Sequence, residues 1–163
     1  KIFPDAWEKF LEPIPKAKQD NLLKAYYELL THEDSSKRVE AAKAWSIWEG
    51  NTVKLIQNKA LIEHSSDSRF AEAFSRIECH YFTNNGWFDT DNYLIDNVDK
   101  IRHIPTVIVH GRYDVVCPVE NAWELHKAWP ESDLHIIPDS GHAMSEEGIK
   151  DKLIEYTDKF SKL

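Results

Sequence analysis

Apolar residues recur at helical spacing through the first half of the chain and at strand-like density in the second. Leu22, Leu23, Tyr26 and Leu30 form one stripe. Ala41, Trp45, Trp48, Thr52 and Leu55 form another at i, i+4, i+7, i+11 and i+14, so each set falls on one face of a helix. Asp34, followed by Lys37 and Arg38, marks a helix start, and Asp67-Ser68 predicts the cap of a third helix with Phe70, Phe74, Ile77 and Tyr81 as its face. The cluster Asn84-Asn85-Gly86 reads as the turn that closes this helical half. One more short helix is expected between Tyr93 and Arg102.

After His103 the pattern changes in kind. Pro105-Thr-Val-Ile-Val-His-Gly111 is an almost unbroken β-branched run ended by glycine, the pattern of a strand buried on both faces. Pro118 to Trp129 is helical, Leu134-His-Ile-Ile137 is a second short strand, and Ile149 to Phe160 is an amphipathic helix. Strand, helix, strand, helix implies a parallel pair joined by a right-handed crossover. Two strands cannot bury themselves, and no other convincing strand is offered. Either the helical half does an unusual job, or the rest of the sheet belongs to an N-terminal part lying upstream, and the second fits a sequence whose single methionine is Met144.

Composition narrows the function. The 163 residues are 42% hydrophobic and 12% aromatic, enough for a folded core, while 5 glycines are too few for a loop-rich or phosphate-cradling protein. A net charge of −8 is the reverse of what a phosphate backbone attracts, so nucleic acid is not an expected partner. No apolar run is long enough to cross a bilayer, and the N-terminal residues do not form a secretory signal. Cys79 and Cys117 make neither a disulfide framework nor a ligand cluster, which suits thiols in a reducing cytoplasm; no metal or organic cofactor is implied.

Loops leaving the C-terminal ends of adjacent parallel strands converge on one edge. The first strand runs into Gly111-Arg-Tyr-Asp114 and the second into Asp139-Ser-Gly-His142. One crossover therefore brings Asp114 and His142 out side by side, where a carboxylate can accept the imidazole Nδ1–H and stabilise the imidazolium that forms when the ring takes a proton. Taken singly, each is more readily structural, Asp114 as the cap of the following helix and His142 as a solvated turn residue; on successive strand ends, acid before histidine, the pair is far more specific. Cys117 is expected as a small buried hydrophobe near this edge, and His80 and His110 as packed or hydrogen-bonded rather than reactive.

Acid before histidine is the order used by α/β-hydrolases, in which a nucleophile precedes both. The runs Ile104-Pro-Thr-Val-Ile-Val-His-Gly-Arg-Tyr-Asp114-Val-Val-Cys-Pro118, Ala122-Trp-Glu-Leu-His-Lys-Ala-Trp-Pro-Glu131 and Ser140-Gly-His142 closely resemble proline iminopeptidases of the α/β-hydrolase type. So do Ala44-Trp-Ser-Ile-Trp-Glu49-Gly50 and Arg76-Ile-Glu78-Cys-His-Tyr-Phe82 in the helical half. The resemblance covers essentially the whole chain. It implies an α/β fold with residues 1–90 as a helical cap domain and 91–163 as the C-terminal portion of the catalytic domain, the N-terminal sheet and nucleophile elbow being absent. It further implies Asp114 as the triad acid, His142 as the general base, and Glu49 and Glu78 as cap carboxylates that hold the free amino group of an N-terminal proline.

The residues give independent, blunter support for the last point. Glu49 lies one turn beyond Trp45, and Glu78 one turn beyond Phe74 and one before Phe82, so both carboxylates border aromatic helix faces where a cation relieves the cost of burial. The bland alternative is a solvated boundary residue, or a pair with a neighbour such as Arg76. The nucleophilic serine on a Gly-x-Ser-x-Gly turn is not in the sequence: Ser46, Ser140 and Ser145, like the other serines, lack glycine two residues away on both sides. The expectation is thus a fragment of a serine exopeptidase that removes N-terminal proline from peptides, inert on its own and completed by its missing N-terminal part. Two alternatives stand beside it: a capped hydrolase for esters, epoxides or lactones, and a non-catalytic helical interaction module.

Overall fold

The computed structural model describes residues 2–162. They divide into two compact units, one comprising the chain through Asn51 together with Gln57–Phe88, the other Thr52–Ile56 together with the chain from Asp89 onward.

The first unit is helical: α1 (Pro4–Leu11), α2 (Leu22–Leu30), α3 (Ser35–Thr52), α4 (Lys59–Ser65) and α5 (Ser68–Thr83). Local chemistry sets the starts. Proline opens α1, where its missing N–H leaves nothing unpaired. Asn21, Asn58 and Asp67 cap α2, α4 and α5 by accepting the backbone N–H of Lys24, Leu61 and Phe70. Asp34 accepts from the Ser36 N–H at the start of α3, as its place in the sequence predicts. The core is aromatic: the Phe10 ring stacks on Tyr26 at 4.6 Å, and Tyr26 meets Trp45 edge-on at 5.1 Å. Tyr26 is fully buried, which pushes its phenol well above the ordinary value, and its hydroxyl donates to the Phe10 carbonyl.

The buried face of α5 differs in part from the expected one. Ala71, Ser75 and Cys79 point inward and Phe74 packs half-buried against the core, whereas Phe70, Ile77 and Tyr81 are exposed. The reason is the approach of α2, which packs along α5: small side chains let two helices close up, and bulky rings at the contact would hold them apart. The Ser75 hydroxyl spends its donor on the Ala71 carbonyl at 2.7 Å, so the close contact leaves no buried donor unpaired there.

The second unit holds α6 (Tyr93–Asp96), a 3-10 turn (Val98–Lys100), β1 (Val107–Gly111), α7 (Val119–Ala128), β2 (Asp133–Ile137) and α8 (Glu147–Phe160). The strands are parallel, with Val107 opposite Asp133 and Gly111 opposite Ile137. Helix α7 packs on both strands and α8 on β1. Val107 to His110 are half-buried rather than enclosed on both faces, because a two-stranded sheet leaves an open edge that the β-branched sequence would fit only with further strands beside it. The Tyr156 hydroxyl donates to the Asp133 carboxylate and lies 2.7 Å from His135 Nε2, tying α8 to β2. Among the described residues no helix is long and apolar enough to cross a membrane.

Candidate active site

The loops leaving β1 and β2 are sewn together. Arg112 N–H donates to the Ile137 carbonyl at 2.8 Å and Tyr113 N–H to that of Ser140 at 3.0 Å. This brings the turn carrying Asp114 against the turn carrying His142. Asp114 does not cap α7, whose N-cap is Pro118 without a side-chain bond. Its Oδ1 instead accepts the N–H groups of Val116 (3.0 Å) and Cys117 (2.8 Å), an Asx-type turn that anchors this one oxygen. Oδ2 is then left to face His142, whose Nδ1 lies 2.9 Å away. The Asp114 side chain is 3% exposed and that of His142 37%.

A carboxylate accepts, so His142 Nδ1 carries the hydrogen and the lone pair of the neutral ring sits on Nε2. Nε2 has no protein partner among the described residues. A buried acid orienting a half-exposed imidazole with a free basic nitrogen is what proton abstraction from a hydroxyl requires.

The backbone that holds His142 comes from far away in sequence. The Val53 carbonyl accepts from both the His142 N–H (3.0 Å) and the Ala143 N–H (2.8 Å). Glu146 Oε1 accepts from Gly141 N–H at 2.9 Å and lies 3.4 Å from Leu55 N, 91 residues away. Helical periodicity places Leu55 on the α3 stripe, but α3 ends at Thr52 and Leu55 is exposed. The short segment Thr52–Ile56 is a clamp on the histidine loop, and no local pattern announces a bond of that span.

Gly111 is the other part of this device. A Cβ there would fall 1.9 Å from the Gly141 carbonyl oxygen and 2.6 Å from that of Ser140, so glycine is what lets the two loops touch. Gly111→Ala is expected to destabilise the protein by about 1–3 kcal/mol, since backbone must move to admit the methyl group. Urea unfolding checks this, and a variant as stable as the parent would mean that the loops are not locked together.

Cys117 is exposed, not a small buried hydrophobe. Its backbone is committed on both sides, N–H to Asp114 and carbonyl to His110, and this turns the thiol outward. His110 is hydrogen-bonded as expected, and His80 is exposed beside the Trp87 ring at 5.2 Å.

Glu49 and Glu78 belong to the first unit, on α3 and α5. Trp45, one turn before Glu49, donates its indole N–H to Glu78 Oε2 at 2.6 Å, a short charge-assisted bond that carries the tryptophan between the two carboxylates' helices. Phe82, one turn beyond Glu78, lies with its ring 6.2 Å from that of Trp45. Arg76 turns away to Glu72 at 3.7 Å. Both glutamates are half-buried. Burial first, and then the charge of Glu78, push the Glu49 carboxyl up to about 7. Glu49 therefore holds its proton up to near neutrality beside a second carboxylate in an aromatic setting, and a cation is the species that lets it ionise there. A separate cavity of about 700 Å³, bordered by Tyr27, Arg69, Arg76 and Ile77, is lined by none of the four expected site residues.

Comparison with known proteins follows the same lines. A family profile described as alpha/beta hydrolase fold matches residues 1–149. The chain is 58% identical over 98% of its length to a probable proline iminopeptidase of Leptolyngbya boryana. It is 47% identical over 99% of its length to proline iminopeptidases of Xanthomonas citri and Arabidopsis thaliana. It covers 50%, 51% and 43% of those three proteins, so the chain spans about half the length of the curated relatives it matches. The profile runs without a break from α1 through the acid and histidine turns, and on that match the chain belongs to the alpha/beta hydrolase fold family.

Proposed function

We propose that this chain forms part of a serine-type aminopeptidase that releases proline from the N-terminus of peptides, contributing the acid, the base and the amino-group site. In this reading the first unit is the helical cap and the second the C-terminal portion of the catalytic domain, with the nucleophilic serine and the rest of the sheet supplied by sequence outside these 163 residues. The chain alone is then inactive. Cys79 and Cys117, joined in no disulfide among the described residues, suit a cytoplasmic setting.

The single observation that carries the reading is the half-buried pair Glu49 and Glu78, held beside Trp45, with Glu49 kept near neutrality by burial and by its partner. A free prolyl ammonium satisfies such a pair, and the flanking rings suit a pyrrolidine. His142 Nε2 takes the proton of the serine hydroxyl while its oxygen attacks the carbonyl carbon of the Pro–X bond. The imidazolium, stabilised by Asp114, then protonates the departing amine, and water releases the acyl-enzyme by the same relay. The relatives' printed names agree with this substrate class.

The test uses the protein completed with its serine-bearing part, and Pro-X peptides with free and with N-acetylated proline. Free proline is expected from the first at least 100-fold faster than N-acetylproline from the second, since acetylation removes the cation. Equal turnover of both, or hydrolysis of simple esters alone, would point instead to a capped hydrolase with no use for the carboxylate pair.

A further inference from the structure

The Asp114 carboxylate is held by more than its turn and its histidine. Oδ1 accepts two backbone N–H groups, and Oδ2 has two imidazoles beside it: His142 Nδ1 at 2.9 Å and His110 Nε2 at 3.3 Å. The same His110 Nε2 lies 2.8 Å from the Cys117 carbonyl. A carbonyl oxygen only accepts, so His110 Nε2 must carry a hydrogen and gives it to Cys117 O, with Asp114 Oδ2 standing 3.3 Å from the same nitrogen. His110 stands on β1, and its side chain is 17% exposed. Its ring therefore bonds a strand to the Cys117 end of the turn and stands against the Asp114 end.

We propose that His110 is a positioning residue for the acid–base pair: its Nε2–H pins the Asp114–Cys117 turn to β1 and keeps Asp114 Oδ2 aimed at His142 Nδ1. This rests on the reading of Asp114 and His142 as acid and base, but not on any substrate. Without His110, the carboxylate retains its two backbone donors, which share Oδ1, and is free to swing about them. Oδ2 then leaves the line of the His142 N–H.

The test reads that hydrogen bond by NMR on the full chain with 15N-labelled histidine, independently of turnover. In the parent, His110 is expected as the Nε2–H tautomer and His142 as the Nδ1–H tautomer with a low-field proton. In His110→Leu the low-field His142 proton is expected to vanish, because Oδ2 no longer stays in line with Nδ1. In His110→Gln, whose side-chain amide still donates from a similar place, it is expected to return. A low-field His142 proton that persists unchanged in His110→Leu would overturn the proposal. Should the leucine variant fail to fold, the parent decides: an Nδ1–H tautomer at His110 leaves a bare Nε2 that cannot donate to Cys117, and overturns the proposal without a mutant. Should the protein completed with its serine-bearing part fail to cleave prolyl peptides while the low-field His142 proton is present, the proposed activity would sink and the role of His110 would stand.

Discussion

Asp114→Asn, made in the protein completed with its serine-bearing part, is expected to lower kcat for prolyl-peptide hydrolysis by about 10⁴-fold, with KM little changed and the fold intact. The turn decides which way the new amide points. Val116 and Cys117 direct two N–H groups at Oδ1, so the asparagine oxygen stays there and the NH₂ replaces Oδ2. A donor then faces His142 Nδ1, which must accept. The imidazole hydrogen moves to Nε2, and the nitrogen needed as a base is blocked. His142→Ala should fall by a similar factor, and the double variant little further, because the two groups act as one unit. Steady-state kinetics with a prolyl chromogenic substrate, beside unfolding curves, check this. Activity within tenfold of the parent in Asp114→Asn would remove Asp114 from the mechanism.

Much of the second unit is legible in the sequence because its signals are local. The β-branched run that becomes β1, the shorter one that becomes β2, and the amphipathic spacing of α7 and α8 each depend on neighbours within a few residues. Asp114 and His142 are legible as a pair for a topological reason: a parallel crossover puts successive strand ends on one edge, and both residues follow a strand end. The helical half is read less well. Amphipathic spacing picks Phe70, Phe74, Ile77 and Tyr81 as the buried face of α5, yet of these only Phe74 packs on the core, beside Ala71, Ser75 and Cys79. Hydropathy rewards bulk, whereas close helix contact rewards its absence.

What the sequence hides is distance. Val53 and Glu146 hold the His142 loop from positions with no periodic relation to it, and the need for glycine at 111 exists only because Gly141 arrives against it. The outward turn of the Cys117 thiol is hidden for the same reason: both its backbone groups are taken by residues on and after β1.

Replacing Glu49 and Glu78 together by glutamine should cut kcat/KM for Pro-X peptides by roughly 10²- to 10⁴-fold, the cost of leaving a desolvated ammonium without its counter-charge. Glu49 also predicts the shape of the pH profile. With its carboxyl pushed up to about 7, it holds a proton below that pH in the empty site, and an incoming ammonium must expel it. Accordingly kcat/KM should fall about tenfold per unit as pH drops below 7, and also above roughly 8, where the substrate's own amino group loses its charge. Glu49→Gln should lower the plateau and abolish the acid-side slope that Glu49 contributes. Stability should move the other way. Between the ordinary value of 4.5 and about 7 the folded protein binds a proton at Glu49 that the unfolded chain has released, so stability falls as pH rises through that window and levels off above it. Glu49→Gln therefore matches the parent at pH 4 and exceeds it at pH 8 by at most about 3 kcal/mol. Thermal melts at the two pH values check this. A variant that binds substrate worse while folding better has lost a group kept in its place against the fold's own interest, whereas parallel losses in activity and stability would mean that Glu49 only packs.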